Sequence, residues 1–365
     1  MATWCDFFEL PIPLIQAPMA GVSTPALAAA VCNAGGIGSL GLGHLSIEQA
    51  RQQIHALKAL TARPFNVNFF CHQPVAPFPA AEQKWLEILE PYFAEFGVAP
   101  PSSLSIPYIT AQHNPELIAM LCEERPAIVS FHFGIPEPHV IQQLQRAGIV
   151  VWGCATQLSE ALVLAHSGVD GIIAQGFEAG GHRGVFDPNE DLQLGLLPLI
   201  SLLTRHIELP IIAAGGLMTG QQIAAVLKLG AHAVQLGTAF ISCPESAADS
   251  HYRAQLLSAH SLNTDVTSVI SGRPARGLKN RMHTEIATFA DFVPDYPIAY
   301  SAGKALHAAA LQHNNTDFAA YWAGQGAPLS RAIAAADLIQ LLCVEAIDIL
   351  PGLKAEDSYG AQGRH

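Results

Sequence analysis

Between residues 14 and 238 a short apolar run repeatedly gives way to a turn rich in glycine, proline or small polar residues, then to a segment of helix length. Eight such runs start at or near residues 14, 38, 65, 128, 149, 171, 211 and 233. Strands separated by helices are joined by crossovers, and crossovers are right-handed, so the alternation specifies a parallel α/β fold that closes as a TIM-type (β/α)8 barrel. Such a barrel needs roughly 250 residues, and the chain has 365. The excess predicts an elaboration: barrel over 1–243 with an insertion near 71–110, where Pro-rich flanks bracket a helix at 82–95. A mainly helical lid region would cover 244–329, and 330–365 would supply a helix packing back on the barrel and a tail frayed from 357.

Chemistry in such a barrel sits at the C-terminal ends of the strands. The richest end is the run 171–175, which stops at Gln175 and opens into Gly176, Phe177, Glu178, Ala179, Gly180, Gly181, His182, Arg183 and Gly184. Its glycines let backbone approach a ligand, while Gln175, Glu178, His182 and Arg183 offer an amide, a carboxylate, a base and a cation. The loop reads as built for chemistry rather than packing. After the first strand comes Pro18-Met19-Ala20-Gly21, left as a loop because Ser23 or Thr24 caps the next helix and Pro25 suits its first turn. Asn66 and Asn68 alternate onto one strand face aimed at the mouth, or form core hydrogen bonds. His132 ends the fourth strand ahead of Phe133-Gly134, where it serves either a satisfied core or a site.

The turns after the last two strands, Ala214-Gly215-Gly216 and Gly237-Thr238, fall where barrels bind phosphate. Neither GxGxxG after the first strand nor GxxxxGK[ST] occurs, so a monophosphate on bare N–H groups fits better than a dinucleotide. In the lid region Tyr300 and Lys304 are one helical turn apart, with Tyr296 a step before. Helical continuation would gather the three tips on one face, unless they merely coat a solvated one.

The net charge of −12 and the lack of a Lys/Arg block argue against a nucleic-acid partner. Seven scattered cysteines, with no ligand spacing among Cys or His, predict reduced thiols and no functional metal. No h-region opens the chain and no apolar run reaches the ~18 residues that span a bilayer, so the expectation is a cytoplasmic protein off the membrane. The sequence is compatible with a homo-oligomer.

These stretches resemble a family. QAPMAGVSTPALAAAVCNAGGIG from Gln16, FNVNFF from Phe65, SFHFGIP from Ser130, AQGFEAGGHRGVF from Ala174, AAGG from Ala213 and QLGTAF from Gln235 are similar to class I nitronate monooxygenases, formerly 2-nitropropane dioxygenases. The similarity runs over most of the chain, the segment 295–304 included. Cys32 and Ile37 stand where Ser and Leu are usual, a matter of packing. The resemblance implies FMN held by Pro18, Met19, Ala20, Asn68, Gln175, Gly180, Gly216, Gln235, Leu236, Gly237 and Thr238. It implies His182 as active-site base or anion-binding group, with His132, Tyr108, Tyr296, Tyr300 and Lys304 lining the substrate pocket. The implied reaction oxidises a small anionic alkyl nitronate, such as propionate 3-nitronate, with O2 to a carbonyl compound and nitrite through one-electron transfer to flavin. The alternative on the same barrel is an NAD(P)H:quinone or enoyl-thioester reductase.

Overall fold

A computed structural model describes residues 4–10, 12–108 and 110–349; the tail from 357 lies outside them. Up to the insertion, the strands are β1 (Leu14–Gln16), β2 (Gly38–Gly41) and β3 (Phe65–Phe70), followed by β4 (Ile128–His132), β5 (Val150–Ala155) and β6 (Gly171–Gln175). A two-residue β7 (Gly181–His182) precedes β8 (Ile211–Ala214) and β9 (Ala233–Leu236). All but β7 form one parallel sheet in the order β1-β9-β8-β6-β5-β4-β3-β2. A parallel bridge between Ile15 and Ile37, with Gln16 N–H donating to Ile37 O at 2.9 Å, joins its two edges into the barrel that the alternation specifies.

The connecting helices on the outside are α1 (Pro25–Asn33), α2 (Ile47–Leu60), α3 (Pro79–Ala94), α4 (Pro115–Glu124), α5 (Pro138–Arg146), α6 (Leu158–Ser167), α7 (Leu196–His206) and α8 (Gly220–Lys228). Local chemistry sets their starts. Thr24 Oγ1 accepts from Leu27 N–H at the head of α1, and Ser46 with Gln49 and Thr219 with Gln222 form reciprocal capping boxes on α2 and α8. Helix α7 begins at Leu196. Gly195 is its N-cap, and Glu178 reaches from the loop after β6 to accept the Leu196 N–H at 2.9–3.0 Å. Inside the barrel Ile15, Ile128, Trp152, Ile173 and Ile212 fill the bore, while larger apolar layers join strands to helices.

Beyond β9 the chain makes α9 (Thr238–Ile241), α10 (Ser250–Leu256), β10 (Thr264–Thr267), β11 (Ala275–Leu278), α11 (Arg281–Thr284), α12 (Ile298–Leu311) and finally α13 (Ala335–Ile347). The order β10-β11-β7 is a small antiparallel sheet that the sequence reading does not contain. In it, His182 stands opposite Ala275. Trp85, Leu89 and Phe93 of α3 pack with Ile270, Met282, Ile286 and Leu306, so the insertion and the later elaboration share one apolar core. The helix α13 returns to the barrel, where Gly220 of α8 lets the two backbones touch: a Cβ there would lie 2.4 Å from Ala346 N.

Candidate active site

A cavity of about 410 Å³ opens at the C-terminal ends of the barrel strands. Pro18, Met19 and Ala20 after β1, Asn68 of β3, His132 of β4, Gln175 of β6, Gly180 and His182, Gly216 after β8, and Gln235, Leu236, Gly237 and Thr238 at β9 all line it. Tyr108, Tyr300 and Lys304 close it from the elaboration. Tyr296 is not on that wall. It lies ahead of α12 rather than on it, and its ring forms the layer behind His182, 5.5 Å between centroids. The two asparagines also part ways. Asn68 reaches the cavity while its amide donates to Ser130 O and Oγ, both at 3.0 Å, whereas Asn66 lies deeper and donates to Ser39 Oγ.

The loop after β6 divides its polar residues differently from the sequence reading, which gave Glu178 and Arg183 to chemistry. Glu178 serves the N-terminus of α7. Arg183 is fully buried, pairs with Asp191 at 2.8 Å, and donates to Gln175 Oε1 at 3.0 Å and Gly176 O at 2.8 Å. Gln175 spends its amide on the same loop, donating to His182 O at 3.0 Å and accepting from Gly184 N–H at 2.8 Å. These bonds clamp the loop and leave His182 as its group turned toward the cavity.

The His182 ring is enclosed by Phe133, Tyr296, Tyr300 and Trp322, at centroid separations of 5.2–6.0 Å. Its Nε2 shares a hydrogen bond with Ser271 Oγ at 2.8 Å. Burial pushes its pKa down to about 3, with His132 and Arg273 pushing the same way. His132, whose Nε2 faces His182 O at 3.3 Å, is likewise held at about 4, chiefly by burial. Both imidazoles are therefore neutral at neutral pH, which fits a base or hydrogen-bonding group and not a cation. The cation on the wall is Lys304. Its Nζ sits 4.5 Å from the Tyr108 ring centre and 4.9 Å from that of Tyr300, and no carboxylate among the described residues lies within 4 Å. Burial lowers its pKa.

The glycine turns after β8 and β9 form another part of the lining. Gly215 and Gly216 take φ +127° and +68°, which only glycine adopts freely, and Gly237 packs beside Ala17 and Met19 on the same lining. Gln235 Oε1 is buried there with no partner, a polar atom that asks for a ligand. Gly180 has a second reason for its lack of a side chain: a Cβ would strike Gly324 N at 2.5 Å. Residues that the sequence reading missed include His44, Phe70 and Trp322 on the wall and Ser271 and Arg273 behind it. Phe70 and His44 had a signal, since the one ends a barrel strand and the other closely follows one. Among the described residues no group of three or more His, Cys, Asp or Glu is arranged to hold a metal, and no helix is long and apolar enough to cross a membrane.

A closed parallel barrel that brings three imidazoles and two glycine turns to one cavity has the construction of a barrel enzyme. The nitronate monooxygenase profile matches residues 2–345. The nitronate monooxygenase of Pseudomonas aeruginosa is 51% identical over 335 residues, covering 91% of this chain and 95% of that one. Among solved structures, nitroalkane oxidase from Streptomyces ansochromogenes superposes with a TM-score of 0.88 at 37% identity, covering 97% of this chain and all of that one. FabK from Thermotoga maritima gives 0.70 at 26% identity, covering 98% and 99%. The chain belongs to the nitronate monooxygenase family and is an oxidoreductase.

Proposed function

We propose that the protein binds FMN and oxidises small anionic alkyl nitronates with O2 to a carbonyl compound and nitrite. The observation that carries this reading is the pairing, across one cavity, of an unpartnered Lys304 ammonium with a glycine cradle and the orphaned Gln235 Oε1. Lys304 is an exposed cation at the cavity rim with no protein counter-ion among the described residues, placed to attract an anionic substrate. FMN, held by Gly215, Gly216, Gly237, Thr238 and Gln235, would supply one-electron acceptance and reaction with O2. The chain's own residues do the rest. Lys304 and the Tyr108 and Tyr300 hydroxyls orient the nitronate, neutral His182 offers a ring nitrogen for hydrogen bonding, and the aromatic wall excludes water.

The test is the absorbance spectrum of the purified protein before and after anaerobic propionate 3-nitronate, with the released flavin identified by mass. FMN that changes redox state on nitronate addition, followed by nitrite release in air, is the expected result. FAD, or no flavin, would remove the cofactor assignment. Rapid anaerobic bleaching by NADH, with no response to nitronate, would transfer the site to an NAD(P)H:quinone or enoyl-thioester reductase, the class of alternative the barrel also permits.

A further inference from the structure

Behind the aromatic wall lies a buried cation that the proposed reaction does not use. Arg273, 5% exposed, sits in the turn before β11 with no carboxylate within 4 Å among the described residues. One Nη donates to Val185 O at 2.5 Å and Phe186 O at 3.1 Å, and Nε has no partner. The guanidinium lies over the Phe133 ring at 4.5 Å and near that of Tyr296 at 6.0 Å. Asp187 and Glu160 act on it only from beyond ion-pair distance, and Glu160 already accepts from the N–H groups of Thr156 and Phe186. A buried charge left without a counter-ion is costly and calls for an explanation.

The ring that Arg273 covers is the hub of the histidine cluster. Phe133 packs edge-on against His132 at 4.7 Å, His182 at 5.7 Å, Tyr296 at 5.2 Å and His72 at 6.5 Å. It does so at φ +73°, an uncommon conformation for an aromatic residue, which persists only where the surroundings impose it. The same turn holds the other side of His182: Ser271 Oγ, bonded to its ring, also donates to Arg273 O and accepts from Arg273 N–H. One residue thus props the ring beneath His182, ties down the loop that follows it, and anchors its hydrogen-bonding serine.

We propose that Arg273 is a positioning residue whose unpaired guanidinium, stacked behind Phe133, fixes the His182 imidazole in place and in its neutral form. The inference deepens the proposed role of His182 and rests on that reading for its functional meaning. Of the other groups around His182, His132 from β4 acts on it electrostatically, Tyr296, Tyr300 and Trp322 pack on its ring, and Lys304 and Cys154 line the same cavity. Arg183 is neutralised by Asp191, and Arg273 acts electrostatically on His182, His132 and His72 alike.

Titration of the histidine rings by NMR, in isotopically labelled protein as purified, tests this without requiring turnover, so a failed nitronate assay does not decide it. In the wild type, His182 should remain neutral from pH 8 down to 5. In Arg273→Gln its midpoint should rise by a resolvable fraction of a pH unit, burial and His132 still holding it below the ordinary value, and the acid limb of kcat/KM should move up with it; Arg273→Lys should restore the low midpoint. A wild-type His182 that protonates above pH ~6, or an Arg273→Gln variant with an unchanged midpoint, overturns the proposal. If Arg273→Gln does not fold, Arg273→Lys must fold with the wild-type titration; failure of both makes Arg273 a packing residue only.

Discussion

His182 shows how one short loop can serve structure and chemistry through different side chains. Glu178 and Arg183, equally polar in the sequence, are consumed by an α7 N–H and by Asp191, partners that lie 18 and 8 residues away. Nothing local distinguishes a catalytic charge from a clamp, so only the fold could separate them. For His182 the consequence is measurable. His182→Asn should keep its flavin but lose about 10²–10³ in kcat/KM, or about 2.7–4 kcal/mol, as when other oriented groups are removed. Because four aromatic rings pack on the imidazole, the substitution should also cost about 1–2 kcal/mol of stability, read as a lower melting temperature. Near wild-type kcat/KM in a flavin-replete variant would move the chemistry to His132 or Lys304.

At the scale of elements, the barrel strands were legible because they are buried and mostly apolar, and each is followed within a few residues by a turn rich in glycine, proline or polar residues before the next helix. The small sheet was not. Its strands are two to four residues long, with β7 hidden in a glycine-rich loop, and its pairing of Gly181–His182 with Ala275–Arg276 spans more than 90 residues of chain. The candidate site divides along the same line. Asn68, His132, Gln175, His182, Gly216 and Gln235 come from strand ends, whose common face the topology dictates, whereas Trp322, Ser271 and Arg273 arrive from segments without period or motif. Helix contacts carry a sharper test. A Cβ on Gly220 would meet Ala346 N at 2.4 Å and Leu342 O at 2.5 Å, so Gly220→Ala must push α13 off α8. Overpacking of this kind costs about 1–3 kcal/mol, and a denaturation midpoint equal to the wild type would show that α13 yields freely.

Across the whole molecule, the buried imidazoles make stability depend on acidity. His182 is held at about 3, and His132 and His72 at about 4, all below the ordinary 6.5 of an unfolded chain. The folded state therefore binds fewer protons than the unfolded one between those limits. Their contribution is complete above pH 6.5 and is lost as pH falls toward 4 and then 3, by up to about 1.4 kcal/mol per imidazole per pH unit. His44, His232, His283 and His307 are lowered by burial as well, while Glu160, whose carboxyl burial pushes up, works in the opposite direction, one carboxyl against seven imidazoles. Melting temperature should fall steadily from pH 7 to pH 5, and His72→Phe should flatten the fall; a profile unchanged over that range would contradict the neutral cluster.

The segment 322–326 crosses the barrel mouth, with Ala323 N–H donating to Arg276 O, Gly324 N–H to Thr238 Oγ1 and Gln325 N–H to Glu178 O. All eight barrel strands are synthesised long before it, since the last ends at Leu236. On the ribosome, then, the barrel can assemble while its mouth still lacks the wall that Trp322 supplies. The finished pocket needs this later segment as well as the barrel, and a nascent chain stopped short of residue 322 would present the glycine turns without the means to enclose what they hold.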